Sequence, residues 1–433
     1  MASPPEPLSV VVLGGGTVGA QVVRLLEEQA EDLAARVGAR LVVTGVAVRD
    51  TSRHRPGIRA ELLTDDIDAL LASEPDVVVE LMGPVEPARQ AILRALKGGA
   101  SVVTANKALI ATDGPALHQA AAEAGVDLYY EAAVAGAIPL LRPLRESLAG
   151  DRIRRVLGIV NGTTNYILSQ MDATGASFDE ALASAQELGY AEADPTADVG
   201  GLDAAAKAAI LASLAFHTRV TLDDVTVQGI TDVTAADIAA ARELGYDLKL
   251  LAIAELVAAE RIGVCVRVNP TLVPRTHPLA GVRDAFNAVF VEADAAGQVM
   301  FYGRGAGGAP TASAVLGDIV AAARNRVTGS TGPGESSYAG LPVLPPGAAR
   351  TAYFVHLRVV DRPGVLAAVA GVFAKHGASI RSLTQKGQGE RAELLVLTHP
   401  GLESDLAATV AELVDLAQVD QVLSVMRVIG DDQ

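Results

Sequence analysis

The sequence predicts an α/β protein in three parts: a doubly wound parallel sheet, a mixed α+β region, and a small βαββαβ unit. Up to Glu131, strand patterns such as LSVVVL, DVVVEL and DLYYEAA alternate with Ala/Leu-rich helical patterns such as GAQVVRLLEEQAEDLAARVG, Gly19 to Gly38. Continuous apolar strands that alternate with helices are typical of a parallel sheet covered on both faces. From about Leu141, longer helices accompany strands of antiparallel type, such as AERIGVCVRVNPTLV and FNAVFVEAD.

A stretch rich in Gly, Pro and Ser, Ser330 to Arg350, separates the last part from the rest and is predicted to be a linker. Beyond it, four strand patterns and two helix patterns follow in the order βαββαβ, which indicates a ferredoxin-like unit. The predicted boundaries are 1–131 for the first domain, 132–310 for the second, 330–350 for the linker and 351–430 for the last domain. A helix at about 311–328 is expected to pack back on the first domain.

Composition excludes several classes of function. The chain has 35 basic and 51 acidic residues and a net charge of −16, which argues against binding nucleic acid or an anionic membrane surface. One cysteine, Cys265, rules out an intramolecular disulfide framework. The first residues lack a basic signal-peptide region, and no apolar run reaches the ~20 residues that span a bilayer. We therefore expect a cytoplasmic protein.

A glycine-rich turn follows the first strand in VVLGGGTVGAQVV and opens a helix. Its spacing is Gly14-x-Gly16-x-x-Gly19, with Thr17 and Val18 between the last two glycines. Glycines allow a tight turn and close backbone approach, and the free N–H groups of a helix N-terminus attract a pyrophosphate. At the first βα turn of an α/β domain, this pattern predicts a Rossmann-type dinucleotide site.

The end of the second strand, VAVRD, bears on which dinucleotide binds. An acidic residue here accepts from the ribose 2′-OH of NAD, whereas an arginine favours the 2′-phosphate of NADP. Arg49 comes first, and Arg53 and Arg55 follow, so NADP(H) is predicted as the preferred cofactor. Asp50 argues for NAD(H), which stays the alternative, and a solvated turn is the reading without function.

Two lysines are candidates for acid–base chemistry, since no histidine is conspicuous and Cys265 lies in the middle of a predicted strand. Lys107, in TANKALI, follows a strand of the first domain, at the edge where α/β sheets bind ligands. Lys207 is the one charge on the apolar part of GYAEADPTADVGGLDAAAKAAILASLAF. A lysine on such a helix is commonly a surface group. Asp203, however, lies four residues earlier on the same helix face.

At these residues the chain resembles the homoserine dehydrogenase family over nearly its whole length. The resemblance rests on TANKALI, EAAVAGAIPLL, GIVNGTTNYIL, GYAEADPTADVGGLDAAAK, YGRGAGGAPTASAV and a C-terminal ACT-like unit. It implies a Rossmann-type domain, an α+β catalytic and dimerisation domain, and an ACT domain. The implied reaction interconverts aspartate 4-semialdehyde and homoserine with NADP(H) or NAD(H), on the route to threonine, methionine and isoleucine.

The resemblance also implies roles for individual residues. Lys207 matches the catalytic lysine, and Lys107 matches a lysine shared by cofactor and substrate. Glu192 and Asp203 match substrate-binding acids, and Asp198 matches a further acid of the site. Gly189 and the loop Gly303 to Gly308 match contacts on the nucleotide side, and within this loop Gly307 is the predicted cofactor contact. A sodium site, largely of backbone carbonyls, is implied at Glu131, Val134, Gly136 and Ile138.

At the implied sodium site the chain departs from the common family pattern. The family often has GGIP where this chain has AGAIP, so Ala135 and Ala137 flank Gly136. Alanine restricts φ at such a turn. A plain strand–turn is the alternative for this segment.

Regulation is implied by the ACT-like unit and its turn DRPGVLA, Asp361 to Ala367, where a helix N-terminus is placed to take an amino-acid carboxylate. Threonine is the expected effector, and a ligand-free dimerisation module is the alternative. A homodimer or homotetramer is expected. Two other functions remain as alternatives: a non-catalytic nucleotide and amino-acid sensor, and an aspartate-semialdehyde dehydrogenase, which the lack of a suitable cysteine nucleophile disfavours.

Overall fold

The computed structural model describes residues 6–258, 261–387 and 391–429. They fall into two compact units, each built from three stretches of chain. The first unit contains Met1–Ile153, Ala209–Asp223 and Asn287–Gly340, and the second contains Arg154–Ala208, Asp224–Phe286 and Leu341–Gln433. These units do not coincide with the domains expected from sequence, whose boundaries stay predictions.

The elements up to Tyr129 alternate as the apolar pattern predicts. The strands are β1 (Leu8–Leu13), β2 (Leu41–Ala47), β3 (Leu63–Thr64), β4 (Val77–Glu80), β5 (Ser101–Thr104) and β6 (Leu128–Tyr129). The helices are α1 (Thr17–Glu28), α2 (Ala30–Val37), α3 (Ile67–Ala72), α4 (Val85–Lys97) and α5 (Lys107–Ala124). The strands form one parallel sheet in the order β3-β2-β1-β4-β5-β6. The predicted doubly wound sheet is confirmed.

Two details of this region differ from the sequence pattern. The run from Gly19 to Gly38, expected as one helix, is divided at Gln29, which has φ −106° and ψ 17°. Periodicity does not detect the break, because Leu26 and Leu33 keep a seven-residue spacing across it. The strand expected in DLYYEAA is only β6, and a short 3₁₀ turn, Glu131–Ala133, follows it.

The rest of the chain mixes helices with longer strands. The helices are α6 (Gly162–Thr174), α7 (Phe178–Glu187), α8 (Thr196–Val199), α9 (Leu202–Phe216), α10 (Ala235–Glu243), α11 (Gly308–Thr328), α12 (Val365–Lys375) and α13 (Glu403–Val414). The strands are β7 (Ile153–Ile159), β8 (Thr226–Val227), β9 (Tyr246–Ala258), β10 (Ile262–Pro274), β11 (Phe286–Ala293), β12 (Gly297–Arg304), β13 (Arg350–Val360), β14 (Ile380–Lys386), β15 (Arg391–Thr398), β16 (Gly401–Leu402) and β17 (Val419–Val428).

The core of the first unit lies between its parallel sheet and the helices beside it. Val10, Val12 and Val79 of the strands pack in one buried cluster with Val315 and Ile319 of α11. Helix α11 therefore belongs to the packing of the parallel sheet, although it follows that sheet by nearly two hundred residues of sequence.

The second unit is organised around a mostly antiparallel sheet. Its strands follow the order β7-β9-β10-β17-β13-β15-β14. A parallel junction joins β10 to β17, where Thr271 faces Arg427, and the short strand β8 also pairs in parallel with β10. Strands β13, β14, β15 and β17, with α12 and α13 packed on them, form the predicted βαββαβ unit. No helix among the described residues is long and apolar enough to cross a membrane.

Candidate active site

The glycine-rich turn after β1 leaves an open space at the start of α1. A Cβ atom at Gly14 would lie 2.6 Å from the Leu81 carbonyl oxygen, and one at Gly19 would lie 1.9 Å from the Gly14 carbonyl oxygen, so both positions require glycine. Gly16, by contrast, has nothing within 4 Å of such an atom. It begins α1 without a side-chain cap, and Thr17 beside it is exposed. Uncapped N–H groups facing open space suit a pyrophosphate.

A second uncapped helix start lies against the first. Gly307 has φ 124° and begins α11 without a side-chain cap. The next residue packs against α1, since a Cβ at Gly308 would lie 2.9 Å from Thr17 Cγ2. The structure therefore brings Gly307 and the glycine-rich turn together. Both helix N-termini carry partial positive charge, which favours an anion between them.

The residues after β2 differ in how far they are engaged. Arg49 is exposed. The Asp50 carboxylate accepts from both the Ser52 backbone N–H (3.0 Å) and the Ser52 hydroxyl (2.6 Å). These bonds, the hydroxyl's first, lower the pKa of Asp50. Arg55 folds back over the Asp50 carbonyl and lies beside Gly15, where a Cβ would be 3.2 Å from Arg55 Cδ. The acid is thus held in its own turn.

Lys107 is the first residue of α5 and is half-buried. Asn106 caps that helix, since its side-chain oxygen accepts from the Leu109 N–H at 3.1 Å. Glu80, at the end of β4, accepts from the Thr104 hydroxyl (2.6 Å) and the Met82 N–H (2.7 Å). Burial raises the pKa of this carboxyl. Sequence reasoning missed Glu80, although an acid that ends an apolar strand at the ligand edge of a sheet was a usable signal.

The Glu131 side chain has a structural task in the first unit. Its carboxylate accepts from the backbone N–H groups of Leu140, Leu141 and Arg142. Its own N–H donates to Asp318 at 2.8 Å, and Arg142 donates to the same acid at 2.7 Å. Burial, followed by the nearby Glu131 carboxylate, raises the pKa of Asp318 to about 7. Asp318, another residue that sequence reasoning missed, thus anchors the proposed cation segment to α11.

The turn that contains Val134, Gly136 and Ile138 is buried and unusual in its backbone. Ala135 and Gly136 have φ values of 57° and 54°. Alanine therefore adopts the left-handed conformation here despite its Cβ. A Cβ at Gly136 would lie 2.3 Å from the Gly305 carbonyl oxygen, so this position requires glycine. Within the described ranges, no group of three or more His, Cys, Asp or Glu side chains could hold a metal ion.

Lys207, in the second unit, lies on α9 with only 8% of its surface exposed. Its Nζ donates to the Val160 carbonyl oxygen (2.6 Å) and to Asp203 Oδ2 (2.7 Å). The helical spacing of four residues brings this acid and base together, as the sequence predicts. A carboxylate in contact favours the protonated ammonium form. The reading of Lys207 as a surface lysine is therefore wrong.

Asn161 connects the acids of this site to α6. Its Nδ2 donates to Asp198 Oδ1 (2.7 Å) and to Asp203 Oδ2 (2.8 Å). Its Oδ1 accepts from the Thr164 N–H at 2.8 Å and so caps α6. The sequence alone allows Asn161 to be a substrate or hinge group or a local cap; the structure shows the cap, and a role with substrate stays a prediction.

Among the described residues, Glu192 and Gly189 make no side-chain hydrogen bond to that cluster. Glu192 is exposed, and within the described part of the chain its carboxylate makes no hydrogen bond. Gly189 is exposed with φ 74°, a conformation that favours glycine, just beyond the end of α7. The loop that carries both residues is tied down nearby, because Thr163 donates to the Tyr190 carbonyl oxygen at 2.7 Å. The Val160 carbonyl oxygen was missed by sequence reasoning, since a backbone group leaves no sequence signal.

The DRPG turn of the βαββαβ unit is exposed and leads into α12. Gly364 has φ 91° and begins this helix without a side-chain cap. Nothing lies within 4 Å of a Cβ built on it. The turn therefore has the open helix N-terminus that a carboxylate ligand requires.

Comparisons with known proteins cover nearly all of these segments. Residues 14–131 match the family model described as homoserine dehydrogenase, NAD binding domain. Residues 139–320 match the homoserine dehydrogenase model, and residues 353–418 match the ACT domain model.

Similar proteins extend over the full chain. Homoserine dehydrogenase of Mycobacterium tuberculosis (strain ATCC 25618 / H37Rv) is 60% identical over 434 residues, which is 98% of each chain. The crystal structure of a homoserine dehydrogenase from Thiobacillus denitrificans is 40% identical with a TM-score of 0.93, over 98% of each chain. A hyperthermophilic archaeal homoserine dehydrogenase in complex with NADPH is 27% identical with a TM-score of 0.62, over 76% of this chain and 100% of that one. The chain belongs to the homoserine dehydrogenase family, and is an NAD(P)-dependent oxidoreductase with a C-terminal ACT domain.

Proposed function

We propose that the protein catalyses the reversible reduction of L-aspartate 4-semialdehyde to L-homoserine, a step in the synthesis of threonine, methionine and isoleucine. The observation that carries this proposal is the hydrogen-bonded cluster of Lys207, Asp203, Asn161 and Asp198 in the second unit. It combines a buried ammonium with two carboxylates, which are the groups that an amino-acid aldehyde requires. When bound, a nicotinamide cofactor would supply the hydride for the aldehyde carbon.

Lys207 is the proton donor in the reducing direction. As hydride reaches the aldehyde carbon, the carbonyl oxygen gains negative charge, and the Lys207 ammonium protonates it to the alcohol. The Val160 carbonyl and Asp203 hold Nζ in place before the reaction. In the oxidising direction, neutral Lys207 removes the hydroxyl proton of homoserine. Lys107, at the ligand edge of the parallel sheet, is proposed to orient substrate and cofactor.

The carboxylates recognise the substrate's ammonium group. Glu192 and Asp203 are the proposed contacts, with Asp198 as a further acid. Asn161 donates to Asp198 and Asp203, and so offsets part of the repulsion between two carboxylates in one site. The exposed Glu192 carboxylate is free of internal hydrogen bonds within the described residues, so it is available to a ligand.

The nucleotide would be held by the turn Gly14, Gly16, Thr17, Val18 and Gly19, with Gly307 of the adjacent helix start and Gly189. NADP(H) is the proposed preference, and NAD(H) the alternative. Asp50 is bonded to Ser52 whereas Arg49 is exposed, which supports recognition of a 2′-phosphate. Arg49→Ala should raise KM for NADP⁺ about tenfold and leave KM for NAD⁺ nearly unchanged. Equal effects on both cofactors would contradict this preference.

A structural sodium ion is proposed, with the backbone carbonyl oxygens of Glu131, Val134, Gly136 and Ile138 as its ligands. Buried carbonyl oxygens suit a monovalent cation. The Glu131 carboxylate is occupied by three N–H groups, which leaves its carbonyl as the oxygen to bind the ion. Replacing NaCl by N-methylglucamine chloride should lower the midpoint of thermal unfolding. An unchanged midpoint would remove the ion from the proposal.

Feedback regulation by an amino acid, with threonine as the first candidate, is proposed at the DRPG turn in a homodimer or homotetramer. The open N-terminus of α12 supports a carboxylate there. Threonine should inhibit the intact enzyme and fail to inhibit a Gly364→Val variant, whose side chain would occupy the open turn. Inhibition that persists in the variant would place the effector elsewhere, and light scattering would establish the number of subunits.

Aspartate-semialdehyde dehydrogenase chemistry has no support, because the chain's cysteine is unsuited to nucleophilic attack. Cys265 is completely buried, and burial raises the pKa of its thiol. A nucleophilic cysteine needs the opposite: a lowered thiol pKa and access to substrate.

The decisive experiment is a spectrophotometric assay of homoserine-dependent reduction of NADP⁺ and NAD⁺. We expect turnover by the wild type and a loss of about 10²–10⁴-fold in kcat for Lys207→Ala. The matched control is Lys375→Ala in the same unit, whose exposed pair with Glu412 contributes little, so its kcat should be unchanged. A wild type inactive with both cofactors would favour the sensor reading. A Lys207→Ala variant with full turnover would remove that lysine from catalysis.

A further inference from the structure

Four arginines line one cavity of the second unit. The cavity measures about 410 Å³ together with its opening to solvent and is lined by Arg155, Arg267, Arg350 and Arg427, with no carboxylate among its lining residues. The strand pairing explains this convergence. Leu157 faces Ile253 and Ile253 faces Arg267, while Thr271 faces Arg427. Because strand residues two or four apart point to one face, these pairs place the arginines of β7, β10 and β17 on the same side of the sheet.

The buried Arg267 is incompletely satisfied. Only 4% of its surface is exposed. Its Nη1 donates to Glu255 Oε1 at 2.5 Å and lies 3.7 Å from the sulfur of Cys265. Its Nε is buried without a hydrogen-bond partner among the described residues. A buried charged group without its full set of hydrogen bonds is costly, so an acceptor on a ligand would be stabilising here.

The two arginines that the βαββαβ unit contributes, Arg427 and Arg350, differ in how their charge is compensated. Arg427 is neutralised, because its Nε and Nη2 donate to Glu403 Oε1. Arg350 is exposed and donates to the neutral Pro400 carbonyl oxygen at 3.1 Å. Positive charge therefore exceeds the negative charge that touches this part of the cavity. Planar guanidinium groups suit the oxygens of carboxylate and phosphate.

We propose that this cavity binds a small oxyanion, a carboxylate or a phosphate, through Arg267 and Arg350. The site is separate from the DRPG turn. Arg350 begins β13, whereas the turn follows the other end of this 11-residue strand. At about 3.3 Å per residue, the two places lie roughly 30 Å apart. The lining comes from both the antiparallel strands and the βαββαβ unit, so the anion would stabilise their junction. The inference does not depend on the proposed reaction.

Calorimetric titration of the full-length wild type tests this site, with inorganic phosphate and with succinate as probes at an ionic strength matched with NaCl. We expect saturable binding of at least one of them, and the one that binds identifies the source of the oxygens. Arg350→Gln should weaken binding about tenfold, because a charge-assisted hydrogen bond is lost. The affinity of Arg350→Lys should lie between those of the wild type and Arg350→Gln, since lysine keeps the charge and loses the planar fork.

Arg391→Gln is the matched control, because this arginine also lies in the βαββαβ unit, is exposed, and pairs with Asp420 away from the cavity. Its affinity should stay within twofold of the wild type. Circular dichroism will check that each variant is folded. The proposal is overturned if neither anion shows saturable binding. A second copy of the chain that fills the cavity would be one cause of such a result. Equal losses in Arg350→Gln and Arg391→Gln also overturn it, since they would indicate a general effect of charge.

Discussion

Two buried lysines of the second unit, Lys207 and Lys249, show how neighbours give similar residues different tasks. Their exposed fractions are 8% and 1%. Each ammonium donates to one backbone carbonyl oxygen, of Val160 and of Val282 respectively. The second partner differs: Asp203 is a carboxylate at 2.7 Å, whereas the Asn165 side-chain oxygen, at 3.2 Å, carries no charge. Lys207 thus has a carboxylate in contact, whereas the contacts of Lys249 among the described residues are neutral oxygens.

Helix α6 connects the two lysine sites. Asn161, which caps the helix, donates to the acid that holds Lys207. Asn165, one turn later, accepts from Lys249 and donates to the Asp284 carbonyl oxygen at 2.8 Å. The NGTTNY segment therefore contacts both lysine sites, through Asn161 at one and Asn165 at the other. We interpret the Lys207 end as catalytic and the Lys249 end as structural.

The largest expected difference between the two lysines is in how the unfolding free energy depends on pH. Burial, followed by the nearby Arg283, lowers the pKa of Lys249 from 10.5 to about 8, although Asp247, Asp172 and Asp284 act in the opposite direction. Between pH 8 and 10.5 the unfolded chain binds the extra proton, so the cost of keeping Lys249 charged in the fold is largest below pH 8 and disappears as pH rises to 10.5. The difference in unfolding free energy between wild type and Lys249→Met should therefore grow by about 3 kcal/mol across that window.

Urea denaturation at several pH values measures that change, and a parallel series on Lys375→Met controls for general titration. If the unfolding free energies of the wild type and Lys249→Met change identically with pH, the pKa of Lys249 is not lowered in the fold.

At pH 7, methionine at the two positions should differ mainly in its effect on turnover. Lys249→Met leaves the Val282 and Asn165 oxygens without their donor, which costs about 1–3 kcal/mol. It also removes the buried charge, so its unfolding free energy at pH 7 should lie close to that of the wild type. Its kcat should change much less than that of Lys207→Met, which removes the proton donor. Urea curves and kcat, measured on both variants, provide the comparison. A loss of turnover in Lys249→Met as large as in Lys207→Met would assign both lysines to catalysis.

The smallest expected effect concerns the link itself. Asn161→Ala removes the cap of α6 and should cost about 1 kcal/mol of unfolding free energy. Asn161→Asp keeps a capping oxygen but adds a carboxylate beside Asp198 and Asp203. We expect it to preserve stability better than alanine while lowering kcat/KM at least as much. The contact with the acids would be irrelevant to function if Asn161→Asp had the activity of the wild type.

Sequence reasoning reached one lysine and not the other for a physical reason. Lys207 stands four residues after Asp203 on one helix, so local spacing alone places the pair in contact. Lys249 lies in β9, and its partners come from α6 and from the segment around Val282. No local pattern encodes such contacts. The same holds for Glu131, whose side chain is bonded to residues nine to eleven positions later, and for Asp318, which is held from far along the chain.

The amino-acid sequence by itself determined the classes of structure: the parallel sheet with its glycine-rich turn, the βαββαβ unit, and the acid–lysine pair on α9. These follow from periodicities of two and 3.6 residues and from the backbone freedom of glycine, which act over short stretches. Tertiary structure alone decided which polar groups are buried and what compensates them. It placed a carbonyl beside Lys207, an amide beside Lys249 and four arginines around one cavity, because burial and hydrogen bonding join residues that are distant along the chain.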